Sequence, residues 1–166
     1  MDPSLFLRAG SCDCGAGFTG ETHAPRCDLS FVIQTWVRSW RSSQPGKLIP
    51  AEIYSVEMSD CVTRILANSR IEVVAVREDP TTIAAWCAFE RRPHLGIIHY
   101  AYSRPEQRRN GHIMALVYRV RELGGDHAEL IYTHHTDDGG KAAARLGATY
   151  DPFSSFRSAY GGKLAA

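Results

Sequence analysis

The feature that most constrains the fold is a basic, glycine-containing segment between a strand-like run and a helix-like run. Gly96–Tyr102 is apolar and aromatic, as in a strand, and Met114–Leu123 has the apolar spacing of a helix. Between them, Ser103–Ile113 reads Ser-Arg-Pro-Glu-Gln-Arg-Arg-Asn-Gly-His-Ile. A helix that begins after such a turn presents unpaired backbone N–H groups beside positive side chains. The sequence therefore predicts a site for an anion, such as a phosphate or pyrophosphate, at the start of this helix.

Length and composition predict a single globular domain over 1–166. The chain has 166 residues, of which 44% are hydrophobic and 22% are charged. We expect a core over about 28–156, a loop rich in Cys and Gly over 9–27, and a loose tail over 157–166. The formal net charge of +1 gives no support for a nucleic-acid partner. No apolar run approaches the ~20 residues of a membrane span and no secretory signal is recognisable, so we expect a cytoplasmic protein.

Apolar periodicity predicts a mixed α/β order. The expected elements are a short strand over 4–8, helices over 29–40 and 50–68, a hairpin over 71–90, the strand, turn and helix described above, a strand over 129–134, a helix over 140–146 and a last strand over 148–156. Asp28 and Asp137–Asp138 are the expected helix caps. The residues expected on the inner face of the second helix are Ile53, Val56, Val62, Ile65 and Leu66.

Two groups of residues have side chains that can bind metals. Cys12, Cys14, His23 and Cys27 could form a small zinc site, but Cys-x-Cys is tighter than the usual ligand spacing, so free thiols in a loop are the favoured interpretation. The His and Asp residues of 134–138 are disfavoured as a cluster because neighbours on a strand point apart. We therefore predict no metal site.

The turn and the element order resemble the GNAT-type (GCN5-related) N-acetyltransferase family. The family signature, Arg/Gln-x-x-Gly-x-Gly/Ala, lies between a strand and a helix, often with Pro-Glu ahead of it. Here Arg104–Gln107 supplies Pro-Glu, and Arg108–Ile113 reads Arg-Arg-Asn-Gly-His-Ile. Ala144–Ala148 resembles the Leu-Gly-Phe that closes the family's fourth helix. The resemblance covers about 28–150 and implies the α/β acyl-CoA N-acyltransferase fold, a central mixed sheet with helices on both faces.

Three positions depart from the family pattern. Ile113 stands where a small residue usually lets the backbone approach the pyrophosphate, and His112 stands where an aliphatic residue is usual. Ala143 occupies the position of a Tyr that protonates the leaving thiolate in many members. Tyr132 or a bound water is then the candidate acid.

The resemblance implies acetyl-CoA as co-substrate. The main chain of the turn would bind the pyrophosphate, and the end of the preceding strand, which includes Ala101, would bind the pantetheine arm in the manner of an added strand. The residues implied in this binding are Tyr102, Ser103, Arg108, Arg109, Asn110, Gly111, His112 and Ile113.

The implied reaction is direct transfer of an acetyl group from the thioester to an amine, which needs a base, a donor for the carbonyl oxygen and an acid. Glu90, His99, and either His134 or His135 are the candidate bases. Because neighbours on a strand diverge, only one of the two adjacent histidines can point into a cleft.

The implied acceptor is a small-molecule or peptide amine that the sequence does not identify, and a monomer or homodimer is expected. Trp36 and Trp40 lie on an apolar helix face and are expected in the core rather than at the acceptor site. The alternative is a catalytically inactive GNAT-like binding or regulatory module. Ala143 and Ile113 favour that alternative, whereas the intact approach to the turn favours the enzyme.

Overall fold

The computed structural model describes residues 4–11, 27–124 and 129–161. The strands are β1 (Leu5–Ala9), β2 (Arg70–Val76), β3 (Ile83–Arg92), β4 (Leu95–Ser103), β5 (Glu129–Tyr132) and β6 (Thr149–Tyr150). The helices are α1 (Asp28–Arg41), α2 (Gln44–Lys47), α3 (Ala51–Ala67), α4 (His112–Gly124), α5 (Asp137–Leu146) and α6 (Phe153–Tyr160), with a 3-10 turn over Pro105–Gln107.

The six strands form one mixed sheet in the order β1-β2-β3-β4-β5-β6. The pairs from β1 to β4 are antiparallel, whereas β4–β5 and β5–β6 are parallel. This confirms the expected α/β architecture. It also places the strand before the basic turn beside β5, the strand that the adjacent histidines follow.

Two hydrophobic cores lie on opposite faces of the sheet. The first, which we call the α1–α3 core, contains Trp36, Trp86 and Tyr100. The second, the α4 core, contains Phe89 and Leu116. Helices therefore cover both faces, as expected, and Trp36 is fully buried, whereas Trp40 is partly buried against the α1–α3 core.

The inner face of α3 differs from the prediction at its N-terminal half. Ile53 and Val56 are exposed, whereas Tyr54 and Met58 are buried. The C-terminal half, which includes Val62, fixes the buried face, and steps of four residues back from it reach positions 58 and 54. The prediction that the apolar residues Ile53 and Val56 are buried at the start of α3 was therefore wrong.

The predicted caps are also wrong. Asp28 is the first residue of α1, after Cys27 at the N-cap position, and its buried carboxylate accepts hydrogen bonds from Arg8 and from the Ser11 backbone N–H. In α5 the cap is Thr136, whose hydroxyl accepts the Gly139 N–H at 3.1 Å. The aspartates of α5 fill its first turn, where a negative charge favours the helix dipole.

The segment expected to be a last strand and a loose tail is largely helical. Only Thr149–Tyr150 pairs with β5, and α6 follows it. Ser158 of α6 is buried, and its carbonyl accepts a hydrogen bond from the Asn68 side chain at the end of α3. The helix therefore closes over the sheet beside α3, and residues 157–160 are not part of a loose tail.

The zinc candidates Cys12, Cys14 and His23 lie outside the described residues. Cys27 lies in the described part and is buried. Within 4–11, 27–124 and 129–161, no three His, Cys, Asp or Glu residues come together in a metal-binding arrangement. No helix of these ranges is long and apolar enough to cross a membrane.

Candidate active site

The parallel strands β4 and β5 separate halfway along β4. Their pairing ends at Ile98 and Tyr132, after which the Thr133 N–H donates to the Ile98 carbonyl at 3.1 Å. Strand β4 remains paired with β3 as far as Ser103. The other edge of β4 is therefore without a β5 partner over its last residues, and an extended ligand could pair with the main chain there.

The basic turn has the backbone geometry of an anion site. Arg109 and Gly111 have positive φ values of 68° and 78°. Two positive φ values so close together turn the backbone sharply, and the start of α4 adds its own orphan donors. Open space surrounds the position that a Gly111 Cβ would take, and Arg108 and Arg109 are exposed. The turn therefore fits a ligand phosphate.

Gln107 supports this turn from within. Its side-chain oxygen bonds the Asn110 amide at 3.2 Å and the buried His112 ring at 3.2 Å. The Ile113 side chain packs against the α4 core. The two residues that depart from the family signature thus direct their side chains into the protein, and the main chain of the turn forms the outer surface.

A β-bulge lies at the point where the strands separate. Ala88 pairs with Tyr100 and Phe89 pairs with Ile98, so His99 is an extra residue on β4. Because of this residue, His99 and Tyr100 both face the α1–α3 core, while Ile98 packs in the α4 core. Bulges re-aim side chains in this way and are common next to active sites.

Glu90 and His99 form a buried pair on this face. The His99 Nε2 lies 3.0 Å from Glu90 Oε1, and these residues are 1% and 8% exposed. Burial by itself raises the pKa of Glu90, but hydrogen bonds from His99, Ser158 and Arg92 and the charge of His99 lower it to about 2. Glu90 is therefore ionised at neutral pH and acts as an acceptor.

Thr133 joins this pair to His134. Its hydroxyl oxygen lies 3.4 Å from His99 Nδ1, 3.2 Å from the His99 carbonyl and 2.8 Å from His134 Nδ1. Three of the four predicted catalytic residues, Glu90, His99 and His134, therefore belong to one chain of hydrogen bonds. Thr133 itself was missed, although a hydroxyl between two candidate side chains at a strand end was a usable signal.

Three aromatic rings surround His134. Its ring centroid lies 5.2 Å from Trp36, 5.1 Å from Trp40 and 5.8 Å from Tyr100, each in an edge-to-face arrangement. Burial in these surroundings, together with the nearby His99, lowers the pKa of His134 to about 3. The imidazole is therefore neutral at physiological pH.

Tyr132 lies on the other face of the sheet. It packs against the α4 core, and its hydroxyl lies 3.0 Å from the Nδ1 of exposed His135. The two adjacent histidines diverge as predicted, with His134 toward α1 and His135 toward Tyr132. The side chain of Ala143 is buried in α5, where it offers no proton donor.

Comparison with known proteins places this arrangement in a structural class. Neither a protein-family model nor a curated protein sequence matches the chain. A GCN5-related N-acetyltransferase from Ralstonia eutropha JMP134 is 19% identical, with a TM-score of 0.60, over 86% of this chain and 91% of that one. A possible acetyltransferase from Clostridium difficile 630 is 12% identical, with a TM-score of 0.52, over 86% of this chain and 87% of that one.

The chain therefore has the GNAT fold, as the turn and element order led us to expect. Both compared structures extend over most of this chain and most of their own length. At these identities the likeness establishes the fold, and function has to be argued from the residues of the site.

Proposed function

We propose that this protein is an acetyl-CoA-dependent N-acyltransferase that transfers an acetyl group directly from the thioester to a primary amine. The observation that carries the proposal is the combination of two sites at the ends of one strand segment. The basic turn follows β4, and His99 and His134 lie where β4 leaves β5. A pantetheine arm along the open edge of β4 would connect them.

The main chain of Arg108–Ile113 would hold the pyrophosphate, with Arg108 and Arg109 adding positive charge. Tyr102 and Ser103 would offer backbone groups to the arm. The Tyr102 ring itself stacks on Trp86 at 6.1 Å between centroids, so it supports the strand rather than the ligand. In this proposal the backbone would contact the cofactor, and the Tyr102 side chain would stabilise the sheet.

His134 is the proposed base, because it is a neutral imidazole at the strand separation on the α1 side of the sheet. Glu90, ionised and held by His99, would supply negative charge rather than take the proton directly. Tyr132 is the proposed acid for the leaving thiolate. Base and acid would then act from opposite faces of the sheet, with the thioester in the gap between β4 and β5.

The acceptor amine would approach from α1, because His134 faces that helix. The aromatic rings around His134 make its surroundings apolar, so the neutral amine is favoured there over its charged form. The alternative, an inactive GNAT-like module, is favoured by the absence of an acid at Ala143. Tyr132, whose hydroxyl lies 3.0 Å from His135 Nδ1, offers another proton donor and favours the enzyme.

Acetyl-CoA binding is the first test, because a ligand that binds only the folded state raises its stability. We expect CoA and acetyl-CoA to raise the melting temperature of the wild type, and Arg108→Ala to reduce this shift. The exposed Arg119→Ala, on α4 but away from the turn, is the matched control. No shift at millimolar acetyl-CoA would refute the proposal.

Turnover is the second test. Thiol release from acetyl-CoA, followed across a panel of primary amines, should reveal at least one acceptor. Binding of acetyl-CoA without thiol release on any amine would favour the inactive module. His134→Asn should then lower kcat about 10²-fold or more for the best amine, because a positioned general base contributes at least that much.

A further inference from the structure

The chain of hydrogen bonds from Glu90 to His134 is longer than a general base requires. A base needs one partner that fixes its orientation, and Thr133 alone would provide this for His134. Here the chain continues through His99 to an ionised carboxylate. All three residues behind His134 are buried, with exposed fractions of 8% for Glu90, 1% for His99 and 3% for Thr133.

When His99 is neutral, one arrangement of hydrogens satisfies every bond of this chain. Ionised Glu90 can only accept, so His99 carries its hydrogen on Nε2 and leaves a lone pair on Nδ1. The single Thr133 hydrogen then points to His99, which lies with its Nδ1 and its carbonyl at 3.4 and 3.2 Å. His134 must donate its Nδ1–H to the Thr133 oxygen at 2.8 Å. Its Nε2 is consequently a bare lone pair.

We propose that Thr133 relays a proton from His134 to His99, so that charge accepted at the base comes to rest beside Glu90. This inference rests on the proposed function, because it assumes that the attacking amine gives its proton to His134. His134 is then the group that meets the substrate, and Thr133 acts through it.

The proton movements balance without another reactant. His134 Nε2 gains the amine proton, and its Nδ1–H passes to the Thr133 oxygen. The original Thr133 hydrogen passes to His99 Nδ1. His134 ends neutral with its hydrogen on Nε2, Thr133 ends neutral and donates back to His134 Nδ1, and His99 ends positive against the Glu90 carboxylate.

The surroundings of the two histidines give this transfer its direction. Three aromatic rings desolvate His134, and its low pKa means that a proton does not remain there. His99 faces a carboxylate that also pairs with Arg92 at 3.1 Å. A charge on His99 is therefore neutralised by a neighbour, whereas a charge on His134 is not.

A surface cavity exposes the far end of the chain to water. Glu90 lines a cavity of about 530 Å³ at the β3–β4 hairpin, together with Asn68, Arg70 and exposed residues of 91–94. Water in this cavity can solvate the Glu90 carboxylate that faces the charged His99. After the product leaves, the proton returns along the same chain to His134 Nε2 and from there to water, which restores the resting hydrogens.

The positions of the imidazole hydrogens test the inference without any substrate. Long-range proton–nitrogen NMR correlation of the wild-type protein separates protonated from unprotonated ring nitrogens. We expect the hydrogen of His134 on Nδ1 and that of His99 on Nε2. A resting His134 with its hydrogen on Nε2 would overturn the relay, whatever the acceptor and whether or not the protein is an enzyme.

A pair of Thr133 variants tests the transfer itself, with the best amine from the panel. Thr133→Val keeps the shape but removes the hydroxyl, and we expect kcat to fall about 10-fold or more while the KM for acetyl-CoA changes less than about twofold. Thr133→Ser should retain kcat within about threefold. Thr149→Val, on exposed β6, is the matched control and should leave kcat unchanged.

The outcomes of these experiments are distinct. Equal losses in Thr133→Ser and Thr133→Val would show that the hydroxyl does not carry the proton, and the relay would be wrong. A parallel rise of KM in Thr133→Val would assign Thr133 a structural role and would also overturn the relay. Absence of acetyl-CoA binding in the wild type would instead refute the proposed function, and the NMR result would still decide the hydrogen arrangement.

Discussion

The neutral, desolvated His134 makes the folded protein sensitive to mild acid. In the unfolded chain its imidazole titrates near its ordinary pKa of 6.5, whereas in the folded protein burial and the nearby His99 lower the pKa to about 3. Between these values the unfolded state binds one more proton than the folded state. Stability present above pH 6.5 is therefore lost as the pH falls toward 3.

The magnitude follows from the two pKa values. The loss grows by about 1.4 kcal/mol for each pH unit below 6.5, which gives up to about 2 kcal/mol between pH 7.5 and pH 5. The assay is urea unfolding at these two pH values for the wild type and for His134→Asn. The side chain of Asn does not titrate, so the variant should lack this part of the pH dependence.

Exposed His135 supplies the matched control, since His135→Asn changes the neighbouring imidazole without touching the aromatic cluster. We expect this variant to keep the pH dependence of the wild type. The quantity compared is the change in the free energy of unfolding between the two pH values, so a loss of stability that the Asn substitution causes equally at both pH values does not affect the result. If wild type and His134→Asn lose the same stability between pH 7.5 and 5, the desolvation argument is refuted.

Three further predictions concern the basic turn and a buried ion pair. Gly111→Ala should cost about 1–2 kcal/mol of stability and weaken CoA binding, because the Gly111 φ of 78° strains any L side chain even where space is open. Unchanged stability in urea unfolding would contradict this expectation. Arg8→Met should lower the free energy of unfolding by about 3 kcal/mol, because it leaves the buried Asp28 carboxylate without the Arg8 cation. Arg119→Met, which breaks an exposed ion pair, should lower it by under about 1 kcal/mol. Equal losses of stability in the two variants would contradict the argument from burial. Ile113→Ala should lower the free energy of unfolding by about 2 kcal/mol, because the Ile113 side chain packs against the α4 core. The affinity for CoA, measured by calorimetric titration, should change less than about twofold. Tighter binding would mean that Ile113 obstructs the turn.

The sequence was sufficient for the features that local patterns determine. The strand, basic turn and helix around 96–124 follow from one apolar run, one Gly and one amphipathic run. Gly147 ends α5 with a φ of 65°, as a helix-terminating Gly should. The two adjacent histidines were also expected to diverge, although β5 ends at Tyr132 and they lie in the bend that follows it.

The features that depend on long-range packing were not predictable in this way. Nothing in the apolar pattern of β4 marks His99 as an extra residue, because the bulge exists only relative to β3. The helical state of 153–160 depends on contacts with α3. The connection from Thr133 to both imidazoles required knowledge of how β4 and β5 separate.

The bulge at His99 makes the histidine a surplus residue of β4. Ile98 and Tyr100 already pair with adjacent residues of β3. Removal of position 99 would therefore leave an uninterrupted antiparallel ladder, and all the remaining side chains of β4 would keep their present faces. A single-codon deletion could therefore abolish the imidazole while the sheet stays intact. The same step in reverse would add a buried imidazole to a regular strand without any rearrangement of its core.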